Sequence, residues 1–138
     1  MSDYPLIDRL SDELGYPVLT ADNRDALTAS GTVCLFFSED PKRYPEALDV
    51  AVVLPELVSA FAGEFTPVVV SRDIDRELQR EYGFRQWPAL VFLRDGQYLG
   101  AMEKIRDWAE YKDEIPAILA GSGKRAPGIG IPVTSEPA

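Results

Sequence analysis

Apolar residues follow two different spacings along this chain, and the alternation of the two predicts its secondary structure. Helical spacing places apolar residues on one face over residues 5–14, 46–65, 75–82 and 108–119. Short continuous apolar runs, typical of strands buried in a sheet, occupy residues 17–20, 32–38, 66–72, 89–94 and 98–102. A brief helix is expected between Asp22 and Ala29. This order predicts an α/β fold with a mixed central sheet, parallel at first and antiparallel at the end, and helices on both faces.

Prolines and glycines mark where these elements end. Asp95-Gly96 separates the last apolar runs and predicts a tight hairpin between them. Pro55 and Pro116 fall inside helical patterns, and each predicts a kink or break because proline lacks an amide donor. Glu39 to Pro45 reads as a polar loop bounded by proline, at the junction between a buried strand and the long helix.

The length of 138 residues corresponds to one domain with a substantial hydrophobic core. From residue 121 onward glycine, proline and small polar residues dominate, and the scattered apolar residues there are too few for a core. We therefore predict a single domain over residues 1–120, with the helix at 4–15 included, and a flexible tail over residues 121–138.

Charge restricts the classes of partner. The chain has 14 basic and 23 acidic residues, which gives a net charge of −9. Such a charge disfavours nucleic acid and anionic membrane surfaces, and it favours encounter with basic partners. No apolar run approaches the roughly 20 residues needed to span a bilayer, and the first residues lack the pattern of a secretory signal. With one cysteine and no internal disulfide, a cytoplasmic location without membrane insertion is expected.

Few residues carry the potential for catalysis. The chain contains no histidine, which removes cysteine–histidine and serine–histidine catalysis and histidine metal ligands. Cys34 lies in the middle of a buried strand, where a cysteine acts as a small apolar residue. Gly121-Ser-Gly-Lys124 lacks the strand and helix that flank a phosphate-binding loop. We predict no catalytic residue, no metal ligand and no cofactor.

The order of elements, with Trp87-Pro88 at the start of the hairpin, resembles the thioredoxin-like fold across residues 16–120. That resemblance implies a three-layer sandwich and a cis peptide bond at Pro88. Thioredoxins carry a Cys-x-x-Cys pair where the strand at residues 32–38 passes into the next helix. This chain has no cysteine at that junction, and the resemblance therefore implies a binding function without dithiol chemistry.

A closer resemblance rests on three segments, at residues 36–41, 57–61 and 82–96. They are similar to the HyaE/HupG-type hydrogenase expression and formation proteins, which are thioredoxin-like and lack the dithiol. This resemblance implies a maturation chaperone for the small subunit of an uptake nickel–iron hydrogenase. The implied partner is the small-subunit precursor or its basic twin-arginine signal peptide. No catalytic residue carries over from the resemblance.

Trp87 and Pro88 are the first candidate binding residues. In thioredoxin-like proteins the residue before this proline pairs through its main chain with an extended peptide, which is a form of strand addition. Resemblance implies the same for Trp87. Its indole is expected either at the surface as a hydrophobic anchor or under the neighbouring loop as part of the core.

Glu39 and Asp40 are the second candidate pair, because they replace the region of the missing dithiol. An arginine and a carboxylate form a bidentate, charge-assisted pair, so this acidic pair could bind the arginines of a signal peptide. The alternative is an ordinary solvated loop, in which Lys42 and Arg43 partly cancel the negative charge.

Three functions remain open at this point. The first is a non-enzymatic chaperone for the hydrogenase small-subunit precursor. The second is a thioredoxin-like interaction module for another partner. The third is a redox protein that uses Cys34 alone.

Overall fold

Helices and strands alternate along residues 4–121, the part of the chain that the computed structural model describes. The elements are α1 (Pro5–Asp12), β1 (Val18–Leu19), α2 (Arg24–Thr28), β2 (Thr32–Phe37), α3 (Glu46–Ala60), β3 (Thr66–Val70), α4 (Asp75–Tyr82), β4 (Ala89–Arg94), β5 (Gln97–Glu103) and α5 (Trp108–Leu119). The predicted tail lies outside the described residues, apart from Gly121, so its flexibility stays a prediction.

The strands form one five-stranded sheet in the order β1-β3-β2-β4-β5. β3 pairs in parallel with both β1 and β2. β4 pairs antiparallel with β2, and the hairpin partner β5 pairs antiparallel with β4. The predicted mixed sheet is therefore confirmed, with its parallel half built first along the chain.

The sheet separates two apolar cores, because successive side chains of a strand point to opposite faces. Cys34 and Phe36 of β2 pack on one face together with Leu54 of α3 and Tyr111 of α5. Leu35 and Phe37 of β2 pack on the other face with Leu78 of α4. Leu10 of α1 joins the first core. This is the predicted three-layer sandwich with helices on both faces.

The long helices differ from the sequence prediction in their details. α3 ends at Ala60 instead of residue 65, and it continues through Pro55, where a break was expected as one possibility. Buried Leu54 and Leu57 on either side of the proline hold this segment in the core, which offsets the lost amide donor. α5 likewise continues through Pro116. None of the described helices combines the length and apolar character needed to cross a membrane.

The hairpin between β4 and β5 is confirmed at Asp95-Gly96. Both residues have positive φ, 51° and 82°, as a type I′ turn requires. The Asp95 carboxylate also accepts a hydrogen bond from the main-chain N–H of Gly31 at 2.8 Å. This turn fixes the position of β4 and therefore of the residues that enter it.

Candidate functional site

Three chain segments meet at the edge of the sheet where β2 and β3 end. These strands are parallel, so the segments that follow Phe37 and Val70 leave the sheet on the same side. β4 runs antiparallel to β2, and its first residue Ala89 pairs with Phe37. Trp87 therefore enters beside the loop that begins at Ser38. The Trp87–Pro88 peptide bond is cis.

Glu39 occupies this junction with its side chain turned inward. Its side chain is 1% exposed and its main chain has a φ of 52°, in the left-handed region. The Arg76 Nε–H donates to Glu39 Oε2 at 3.0 Å, and an Arg72 guanidinium nitrogen lies 3.7 Å from Oε1. Glu39 is not the exposed acidic group that the sequence analysis expected, because its carboxylate is buried and already paired. Its contact with a basic peptide stays a prediction.

Two carboxylates of this group shift their pKa in opposite directions. Burial by itself would raise the pKa of Glu39, but hydrogen bonds from the Asp40 N–H and from Arg76 outweigh it, so the pKa is lowered. Burial raises the pKa of Asp75, although Arg72 Nε–H donates to its Oδ2 at 3.1 Å. We call Glu39, Arg72, Asp75 and Arg76 the Glu39 cluster.

The Asp40 side chain makes different contacts from that of Glu39. Its Oδ1 accepts a hydrogen bond from the main-chain N–H of Lys42 at 3.0 Å and one from the Tyr4 hydroxyl at 3.4 Å. Asp40 therefore shapes the loop and links it to the residue that precedes α1. The predicted acidic pair does not form one exposed surface.

Trp87 lies in the core instead of at the surface. It is only 9% exposed, and its ring is 5.0 Å from that of Phe84 and 6.3 Å from those of Phe37 and Tyr44. The expectation of an exposed indole anchor is therefore wrong, and the alternative of packing under the loop describes the structure. Pro88 is also buried, and its carbonyl accepts a hydrogen bond from the Lys104 N–H at 2.6 Å.

The main-chain groups of Trp87 lie just beyond the end of a strand ladder and are unpaired within residues 4–121. The ladder between β2 and β4 ends at Phe37 and Ala89. Within residues 4–121, the N–H and C=O of Trp87 have no hydrogen-bond partner, and neither does its indole N–H. A polar group at a buried residue is costly to leave unpaired, so these groups are suited to an incoming chain.

A small hollow borders this main chain. Its volume is about 250 Å³, and it is lined by Tyr44, Arg85, Gln86, Trp87 and Lys104. We call it the Trp87 hollow. The sequence analysis missed Tyr44, Arg85 and Lys104, because they belong to separate segments. The only available signal was an aromatic residue at the end of the loop, next to Pro45.

A larger groove of about 420 Å³ lies between α1 and the ends of the parallel strands. Apolar side chains, including Ile7, Val18 and Val69, form much of its wall, and Asp8 lies on the helical side. Val18 is 38% exposed there. Neither this groove nor α1's part in it was anticipated from the sequence.

The described residues offer no obvious reactive group. Cys34 is fully buried in β2, and burial strongly raises the pKa of its thiol, which disfavours the reactive thiolate. Among residues 4–121, no group of three or more His, Cys, Asp or Glu is arranged to hold a metal ion.

These features define a thioredoxin-like α/β domain in which a salt-bridged glutamate lies at the junction after β2. The chain belongs to the HyaE family, because it matches the family described as "Hydrogenase-1 expression protein HyaE" over residues 6–111. It is 49% identical over 130 residues to the hydrogenase expression/formation protein HoxO of Azotobacter vinelandii, a match covering 93% of this chain and 86% of that one.

Two further relatives carry the same description. The hydrogenase expression/formation protein HupG of Rhodobacter capsulatus is 43% identical over 122 residues, covering 87% of this chain and 88% of HupG. A crystal structure of a HupG hydrogenase expression/formation protein from Rhodopseudomonas palustris CGA009 superposes with a TM-score of 0.53 at 36% identity. That match covers 75% of this chain and 95% of the other. A role in hydrogenase expression and formation follows from the family.

Proposed function

We propose that this protein is a non-enzymatic chaperone that binds the precursor of a nickel–iron hydrogenase small subunit in the cytoplasm. Its family supports a role in hydrogenase formation. The observation that carries the chaperone function is the unpaired main chain of Trp87 beside an open hollow. A site with free main-chain groups and a buried thiol favours binding over catalysis.

The mode of binding that we propose is main-chain pairing. An extended segment of the precursor would donate to and accept from the Trp87 peptide groups, which have no partner in residues 4–121. Main-chain hydrogen bonds supply affinity with little dependence on sequence, and neighbouring pockets supply selectivity. This suits a chaperone that must hold a partner before the partner has its final fold.

We also propose that the signal peptide of the precursor contributes to binding. A signal peptide combines a basic region with an apolar region. The groove beside α1 combines apolar Ile7 and Val18 with the carboxylate of Asp8, and the chain carries a net charge of −9. Charge of this sign attracts a basic segment over a distance. Glu39 and Arg72 also line this groove, where they are paired with each other.

A retention assay tests the chaperone function. The immobilised full-length chain is presented with purified small-subunit precursor, either intact or without its signal peptide. We expect retention of the intact precursor and weaker retention of the truncated one. Equal retention of both would remove the signal peptide from the proposal. Retention of neither would remove this partner altogether.

A matched pair of charge reversals tests the groove. Asp8 and Asp49 each lie at the fourth position of their helices, α1 and α3, so their reversal disturbs the helix dipole equally. Asp8→Lys is expected to weaken binding of the intact precursor, because Asp8 lines the groove. Asp49→Lys is expected to change it little. An equal effect of both would assign the interaction to overall charge.

A further inference from the structure

Cationic side chains gather around the Trp87 hollow, although the chain as a whole is acidic at −9. Arg85 and Lys104 line the hollow directly. The Arg43 guanidinium lies over the Tyr44 ring, 5.6 Å from its centre, and Tyr44 forms another wall. These three cations belong to three different segments, and only the fold brings them together.

The negative charges at the hollow are largely occupied. Lys104 Nζ lies 3.2 Å from Glu46 Oε2, and the other oxygen of Glu46 accepts the Ile105 N–H at 3.1 Å. The Glu103 carboxylate accepts the main-chain N–H of Arg85 at 2.8 Å. These carboxylates therefore organise the walls of the hollow.

Two guanidinium groups remain available. Within the described part of the chain, neither Arg43 nor Arg85 forms an ion pair, and both side chains are exposed. By contrast, Arg72 and Arg76 in the adjacent Glu39 cluster are engaged with buried carboxylates. A free guanidinium presents a fork of donors that matches a carboxylate.

We infer that the Trp87 hollow binds an extended peptide segment that carries carboxylate side chains. The peptide main chain pairs with Trp87, as in the proposed function on which this inference rests. Its acidic side chains then reach Arg85 and Arg43 at the rim. In an extended chain alternate residues point the same way, so acidic residues two positions apart face the same rim.

This selectivity is opposite in sign to the one expected at Glu39 and Asp40. A lysine or arginine in the docked segment would face Arg85 across the hollow, and like charges in contact are unfavourable. The segment that docks at Trp87 is therefore distinct from the basic region of a signal peptide. The groove beside α1 and the Trp87 hollow accept different parts of one partner.

Two synthetic peptides test the inference without requiring the precursor. The first is the acetylated amide Thr-Val-Glu-Val-Glu-Val-Thr, and the second replaces both glutamates with lysine. Each is titrated into the full-length, isotope-labelled protein while the main-chain amide resonance of Trp87 is followed by NMR. We expect the glutamate peptide to shift that resonance and to bind at least about tenfold more tightly, a difference that added salt reduces. Equal binding of the two peptides would overturn the inference.

A matched pair of variants assigns the charge preference to the hollow. Arg85→Glu and Lys112→Glu make the same change of net charge, and both side chains are exposed, but Lys112 lies on α5. We expect Arg85→Glu to weaken the glutamate peptide about tenfold and Lys112→Glu to weaken it less than about twofold. Equal losses would show an effect of overall charge and contradict the inference.

The retention assay separates the two proposals. Retention of the precursor together with equal binding of the two peptides would sustain the chaperone function and overturn the acidic selectivity. Selective binding of the glutamate peptide without retention of the precursor would sustain the acidic selectivity and overturn the chaperone function for this precursor. It would sustain the hollow as a site for acidic segments and remove the small-subunit precursor as its occupant.

Discussion

The Glu39 cluster and the Trp87 hollow lie at the same edge of the sheet, but the polar groups are paired in the first and unpaired in the second. In the cluster a side chain that is 1% exposed is paired with two arginines. In the hollow the peptide groups of Trp87 have no partner within residues 4–121, and neighbouring Arg43 and Arg85 form no ion pair there. One region is internally satisfied, and its neighbour is left open.

In the proposed function, this difference lets a thioredoxin-like fold without the dithiol offer a binding site at the same edge of the sheet. A buried carboxylate is stable only when it is paired and hydrogen-bonded. Arg76 and the Asp40 N–H meet that need for Glu39, so these contacts tie down the junction after β2. In the proposed function, a fixed junction positions the adjacent Trp87 main chain for a partner.

The largest expected effect on stability comes from removing the indole that supports the hollow. Trp87→Ala deletes a ring that packs on Phe37, Phe84 and Tyr44, and we expect a loss of about 3–5 kcal/mol in the free energy of unfolding. Urea denaturation measures it. The control is Trp108→Ala, since Trp108 is 45% exposed and should change stability by less than about 0.5 kcal/mol. Similar small losses for both would show that Trp87 is a surface residue.

The second test concerns the Glu39 cluster. Glu39→Gln replaces a paired, buried carboxylate, and we expect it to cost about 1–3 kcal/mol at neutral pH. Because folding lowers the pKa of Glu39 from 4.5, its stabilising effect is present above that pH. The effect is lost as the pH falls through the lower pKa of the folded state. The difference between wild type and variant should therefore shrink in acid.

Asp75→Asn provides a control of opposite sign for this pH dependence. Folding raises the pKa of Asp75, so its contribution to stability increases as the pH falls. As the pH falls, the free energy of unfolding of the wild type should rise relative to that of Asp75→Asn. Relative to Glu39→Gln, it should fall. Parallel pH profiles for the two variants would contradict the opposite shifts within the cluster.

Much of the fold was predictable because its determinants are local. The continuous apolar run at residues 32–38 predicted β2, which spans Thr32–Phe37. Asp95-Gly96 predicted a turn that only residues tolerant of positive φ can form. Pro55 shows the limit of such local rules, because buried Leu54 and Leu57 anchor the helix on both sides of it.

The candidate site was less predictable because its contacts are distant in sequence. The sequence shows Glu39 as one of two acidic residues in a polar loop, and its burial depends on Arg72 and Arg76 from beyond the next strand. The position of Trp87 depends likewise on Phe37 and Tyr44 from another segment. The sequence analysis expected an acidic pair at Glu39 and Asp40, whereas the neighbouring hollow is lined by Arg85 and Lys104.

A variant with a smaller effect on stability separates binding from folding at the Trp87 hollow. Tyr44→Leu removes the ring contacts with Trp87 and Arg43, and we expect it to cost about 0.5–1.5 kcal/mol. Tyr98→Leu is the matched control, because Tyr98 stacks on Tyr82 with ring centres 6.3 Å apart and lies away from the hollow. Retention of the precursor should fall for Tyr44→Leu and not for Tyr98→Leu. Equal retention by the two variants would exclude Tyr44 from the binding surface.

The last test uses the stability losses of Trp87→Ala and Glu39→Gln to ask whether folding protects the single thiol. Cys34 is fully buried, and burial raises its pKa, so an alkylating reagent can reach the thiolate only when the structure opens. Iodoacetamide should therefore label the native protein slowly and the urea-unfolded chain completely. In Trp87→Ala and Glu39→Gln, labelling should accelerate about tenfold for each 1.4 kcal/mol of stability lost. Rapid labelling that does not follow stability would show that β2 is accessible from outside, and a redox function for Cys34 would then have to be considered again.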